Sequence, residues 1–136
     1  MDQVDKELWG RLDVLIVDDI APVRSLLQIM LRNLGVGGHI DEAADGLEAW
    51  SILQQRSYGL ILCDVNMPRM TGLELRKQMC NSNLHEFTPF LFYTGEISEE
   101  LLATAAESNC DYFLKPFRIN KLAQVIRATL TMQNIA

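Results

Sequence analysis

Little in this 136-residue chain points away from a single ordinary globular domain. There are only three cysteines, Cys63, Cys80 and Cys110, and none forms a C-x-x-C pair. An odd, scattered set argues against a disulfide framework. Cys63 lies inside an apolar run, so these are expected to be small hydrophobes in a reducing compartment. Basic residues are scarce: 12 Lys and Arg against 18 Asp and Glu leave a formal net charge of −6. A nucleic-acid surface needs a basic patch, so that function class is set aside, whereas binding of a cation or of protein partners fits. No apolar run approaches a membrane span, and the mixed-charge start MDQVDKELWG lacks the core of a signal peptide. A cytoplasmic protein is expected. Repeats, low-complexity tracts and internal linkers are also missing.

What is present is a regular alternation of short apolar runs and amphipathic stretches. The runs are Val14–Val17, a weaker polar-mixed His39–Ala44 suited to an edge, Tyr58–Cys63, Pro89–Tyr93 and Asp111–Leu114. Short continuous apolar runs bounded by turn residues suit strands buried on both faces. After the first comes Ala21-Pro22, then Val23, Leu26, Leu27, Met30, Leu31 and Leu34 at helical spacing, closed by Gly35, Gly37 and Gly38. Later helices are expected from Gly46 (Ala49, Trp50, Leu53), from Gly72 to about Cys80, after Ser98 (Leu101, Leu102, Ala105), and along Ile119, Leu122, Ala123, Ile126 and Leu130. Ser98 followed by Glu99 and Glu100 reads as a helix N-cap with acids in the first turn. Five strands alternating with five helices predict an α/β fold with a parallel sheet covered on both faces. The domain is expected over 13–132, with 1–12 as an N-terminal extension and 133–136 as a tail. For Glu7, Leu8 and Trp9 the sequence leaves two readings open, a short turn docking Trp9 or a loose terminus.

The chemistry gathers where strands end. Asp18 and Asp19 follow the first, Asp64 the third, Thr94 the fourth and Lys115 the fifth. Right-handed crossovers bring the carboxyl ends of parallel strands to one edge, where open α/β sheets bind ligands. Each residue alone has a plain explanation, since acids suit helix N-termini and turns. Together, three carboxylates make a hard-oxygen pocket suited to Mg²⁺, and a lysine with a hydroxyl suits a phosphoryl group. His39 and His85 are expected on the surface, as are Arg24 and Arg69, with Arg69 in the loop beside the site.

The motifs VDD, DVNMPRMTG, YTGE and DYFLKPF stand in this order across Asp13–Leu130. In them the chain resembles the receiver domains of two-component response regulators, especially the small single-domain chemotaxis type. The resemblance implies a flavodoxin-like sheet of order 2-1-3-4-5. It implies Asp64 as the phosphoacceptor, taking a phosphoryl group from the phosphohistidine of a sensor histidine kinase or phosphotransfer protein. Asp19, Asp64 and the backbone carbonyl of Asn66 would bind Mg²⁺ directly, and Asp18 through water. Lys115 would pair with the phosphoryl oxygens, aimed by a cis Lys115-Pro116 bond. Thr94 and Tyr112 would be the switch pair. The chain would catalyse only its own phosphorylation and dephosphorylation. Its output would pass through the face of the fourth helix, fifth strand and fifth helix to a protein target, or through a phosphorylation-dependent dimer, with no nucleic acid or membrane involved. Residues expected exposed there are Glu99, Glu100, Thr104, Glu107, Lys121, Gln124 and Arg127.

Three positions depart from the commonest pattern: Gly95 for alanine, Thr71 before the glycine, and Val65 beside the phosphoacceptor. Asn66 and Glu96 match the best-known chemotaxis member at positions that influence self-dephosphorylation. Other function classes fit the residues less well. An aspartate-nucleophile phosphatase usually has an acid two residues on, where this chain has Asn66. A flavin or nucleotide carrier lacks its glycine loop here. A receiver-like scaffold that is never phosphorylated would not need the complete acceptor set.

Overall fold

The computed structural model describes residues 3–83, 85 and 87–135; positions 1, 2 and 136 of the expected terminal segments lie outside the described residues. The chain runs α1 (Gln3–Arg11), β1 (Val14–Val17), α2 (Ala21–Leu34), β2 (Ile40–Ala43), α3 (Gly46–Leu53), β3 (Leu60–Asp64), α4 (Gly72–Ser82), β4 (Phe90–Thr94), α5 (Glu99–Ser108), β5 (Asp111–Leu114) and α6 (Ile119–Ile135). All five strands are parallel, in the order β2-β1-β3-β4-β5. β1, β3 and β4 are wholly buried, as their unbroken apolar runs require, while the polar β2 occupies an edge. The residue alternation of the strands sorts the core into two halves. Val14, Ile16, Leu60, Leu62, Leu91, Tyr93 and Phe113 pack with α1, α2 and α6. Leu15, Val17, Ile61, Cys63, Phe90 and Phe92 pack with α3, α4 and α5.

The expected five helices are one too few. Residues before β1 form α1, so the expected fourth and fifth helices are α5 and α6. The reason is Trp9, whose side chain is fully buried in the α2-side core. Its carbonyl accepts the Gly37 N–H at 2.9 Å, and a Cβ at Gly37 would collide with the Gly10 backbone. Gly37 therefore serves this close approach rather than only ending α2. The left-handed turn that ends α2 is at Gly35, with φ 108°. At the other end, α6 runs to Ile135.

Several side chains sit elsewhere than helical spacing suggested. Leu26 and Leu102 are exposed, and Ile119 lies at the margin of the exposed set. Thr104 is buried, because the step Leu101–Thr104–Ala105 forms the stripe that α5 packs inward. His85 is buried too, its Nε2 2.6 Å from the Leu53 carbonyl at the end of α3. A backbone carbonyl left without a donor by the short α3 accounts for this. Ser98 does cap α5, accepting the Leu101 N–H at 3.0 Å. Thr71 acquires a purpose: it forms a reciprocal capping box with Glu74, starting α4 directly after the loop that follows Asp64.

Candidate functional site

β1, β3, β4 and β5 deliver their terminal residues to one edge, as parallel strands must. Asp18 and Asp64 are buried and Asp19 is exposed, and one carboxylate oxygen from each lies within 4.8 Å of the others. Lys115 Nζ reaches Asp64 Oδ2 at 3.8 Å from the end of β5. The Lys115-Pro116 bond is cis. Burial and the neighbouring Asp18 charge push the Asp64 carboxyl up to about 6, with Asp19 adding to the effect; Lys115 and the Val65 N–H oppose it. A carboxylate so destabilised in its charged form is poised to gain from any added positive charge. Gly72 is needed behind it, since a Cβ there would strike the Asp64 carbonyl. At Gly95, by contrast, a Cβ would meet nothing, so alanine would fit.

Thr94 is buried at the end of β4, but its hydroxyl is held by its own loop, donating to the Glu96 carbonyl at 3.0 Å. Tyr112 is half-buried on β5, and Asn66 is exposed in the loop after Asp64. Of the expected residues, the fold thus clusters Asp18, Asp19, Asp64 and Lys115 by direct contact or close approach. Thr94 and Asn66 stand at the same end on adjoining elements, whereas Tyr112 lies further back along β5, opposite Phe92 of β4.

Three features of the site went unread in the sequence. Arg24 is not a plain surface residue. It is half-buried, pairs with Glu42 at 2.8 Å and donates to the Asp18 carbonyl, tying α2 and β2 to the acidic corner. Arg69 takes a left-handed φ of 65° and pairs with the buried Asp45, which caps α3 through the Glu48 N–H. Burial tends to raise the Asp45 carboxyl, yet the Glu48 N–H and Arg69 together hold it below the usual carboxylate range. Third, Tyr93 donates its hydroxyl to Asp18 Oδ2 at 2.8 Å. The available signal was a tyrosine inside the apolar run FLFYT, since a buried phenol needs a partner.

The family described as "Response regulator receiver domain" matches residues 14–127. The chain belongs to that family. This receiver is 34% identical over 105 residues to chemotaxis protein CheY-3 of Vibrio cholerae, covering 76% of this chain and 80% of the relative. It is 32% identical over 114 residues to chemotaxis protein CheY of Pseudomonas aeruginosa, covering 83% and 91%. Among solved structures, Vibrio cholerae chemotaxis protein CheY4 superposes with a TM-score of 0.78 at 32% identity, covering 88% of this chain and 98% of that one. The receiver is accordingly of the chemotaxis type, a phosphoacceptor signalling module of two-component systems. Such receivers work with histidine kinases or phosphotransfer proteins as signalling switches. Among the described residues, no helix is long and apolar enough to cross a membrane.

Proposed function

We propose that the receiver accepts a phosphoryl group on Asp64 from a phosphohistidine of a sensor kinase or phosphotransfer protein, and thereby changes its affinity for a protein partner. The observation that carries this reading is the cluster itself: a buried Asp64 at the end of the central strand, two further carboxylates within 4.8 Å, and one ammonium at 3.8 Å. Transfer breaks the phosphorus–nitrogen bond of the donor and forms a phosphorus–oxygen bond to an Asp64 oxygen. Two anions must meet, so the work of the site is positioning and charge neutralisation.

The donor set fits Mg²⁺, a hard cation that takes a few carboxylates and keeps several waters. Asp19, Asp64 and the Asn66 carbonyl would hold it directly and Asp18 through water; when bound it supplies the positive charge the crowded carboxylates lack. Lys115 pairs with the phosphoryl oxygens as a point charge. Self-dephosphorylation returns the switch to rest, with Asn66 and Glu96 flanking the approach.

Output passes through the face of α5, β5 and α6. There a groove of about 460 Å³ is lined by Ile97, Tyr112, Leu114, Lys121, Gln124 and Val125. Ile97, Leu102 and Leu114 expose apolar surface among exposed Glu99, Glu100, Glu107, Lys121 and Arg127, a mixture suited to a protein partner or to a phosphorylation-dependent dimer. Thr94 would leave its Glu96 bond to meet the phosphoryl group, and Tyr112 would follow. Because a switch shifts only by differential affinity, phosphorylation and partner binding strengthen each other.

Intact-mass spectrometry after incubation with acetyl phosphate and Mg²⁺ tests the acceptor. A single phosphoryl adduct is expected in the wild type and none in Asp64→Asn; an equal adduct in both would refute the assignment. Amide exchange with and without beryllofluoride tests the output face. Protection changes confined to α2 and α3, with none over 94–127, would overturn that placement.

A further inference from the structure

Tyr93 occupies a position that the strand's packing does not require to be a tyrosine. In register it lies between Asp64 of β3 and Phe113 of β5, and it shares the α2- and α6-facing half of the core. Its side chain is fully buried. The ring packs edge-on against Phe117 at 5.1 Å and beside Phe113 at 5.8 Å, while Lys115 Nζ stands 5.5 Å from its centre. A phenylalanine would make all of these contacts. Only the hydroxyl distinguishes it, and the hydroxyl is aimed at the acidic pocket, 2.8 Å from Asp18 Oδ2 and 3.4 Å from the Val17 carbonyl.

Asp18 is fully buried, so each of its oxygens needs a donor. Oδ1 accepts the Ile20 N–H at 2.8 Å, a contact made by the chain's own turn into α2. Oδ2 accepts the tyrosine, from a strand two places away in the sheet. The carboxylate is held at both ends and cannot turn about its own bond without losing one donor. We propose that Tyr93 is a positioning residue for the acidic pocket: its hydroxyl fixes Asp18 in the orientation that receives the cation, and its ring ties that orientation to Lys115 and Phe117 in the loop between β5 and α6.

This rests on the Mg²⁺ reading of the same pocket, and the experiment separates the two. Mg²⁺ is titrated calorimetrically into wild type, Tyr93→Phe, Asp18→Asn and the double variant. Groups that orient a metal ligand are worth at least about tenfold in affinity, so Tyr93→Phe is expected to bind Mg²⁺ about tenfold more weakly. If Tyr93 acts through Asp18, the same change in the Asp18→Asn background costs less than about twofold, the scatter of independent sites. A purely structural role would cost the same in both backgrounds.

Wild type that fails to bind Mg²⁺ overturns the pocket reading, and this proposal with it. Wild type that binds while Tyr93→Phe binds equally well overturns only the role of Tyr93. Incorporated 3-fluorotyrosine gives a measurement in the unmutated chain. The ¹⁹F signal of position 93, identified by eliminating those lost in Tyr58→Phe and Tyr112→Phe, should shift as Mg²⁺ is added. A signal that stays still while Mg²⁺ binds refutes the proposal even where Tyr93→Phe does not fold.

Discussion

Replacing Asp64 by asparagine should make the metal-free protein more stable, and only above a particular pH. The folded environment lifts this carboxyl from an ordinary 3.8 to about 6, through burial first and the Asp18 charge second. The native state therefore holds the proton more tightly than the unfolded chain does. The resulting stabilisation is complete below about pH 4 and is lost as pH rises through about 6. At pH 8 the ionised group is a liability of at most about 3 kcal/mol, taking 1.36 kcal/mol per pH unit. Water reaching the mouth of the pocket screens part of this, leaving about 1–2 kcal/mol. Asparagine keeps the shape and cannot ionise, and the Lys115 ammonium it deserts retains solvent access. Thermal melts of the two proteins in chelator should differ by about 3–8 °C at pH 8, with Asp64→Asn higher, and should converge near pH 4. An Asp64→Asn variant no more stable at pH 8, or a gap that does not change with pH, would refute the electrostatic account.

In wild type, Mg²⁺ at 100 times its dissociation constant should add about 2.7 kcal/mol at pH 8. That gain should shrink at pH 5, where the Asp64 proton competes; equal melting shifts at the two pH values would count against the site. Lys115→Ala removes the cation 3.8 Å from Asp64, so it should raise the Asp64 carboxyl further and cut the yield of phosphoryl adduct, as NMR titration and mass spectrometry would show. Trp9→Ala should cost about 3–5 kcal/mol in urea unfolding, the range for deleting a buried aromatic ring. A loss below about 1 kcal/mol would mean that α1 is not part of the core.

The elements and most of the reacting groups were legible because both are local. Unbroken runs such as LILC, short and bounded by turn residues, suit strands with two buried faces, Ser98 announces its helix by capping it, and an acid or lysine after an apolar run marks a strand end wherever the strand goes. The rule that parallel strands deliver those ends to one edge then assembles Asp18, Asp19, Asp64 and Lys115 without coordinates. The strand order itself came through resemblance, which the fold bears out. What only the tertiary structure decided are contacts whose two halves say nothing of each other in sequence. Trp9 becomes core because Gly37 lets the α2–β2 turn approach α1. His85 is buried because a carbonyl 32 residues earlier lacks a donor, and Arg24 is drawn in by Glu42. Tyr93 reads as one more apolar strand residue until its hydroxyl meets Asp18, 75 residues away. Periodicity tells which face a side chain takes; it carries no information about which polar atom waits there, because that is set by packing across the sheet.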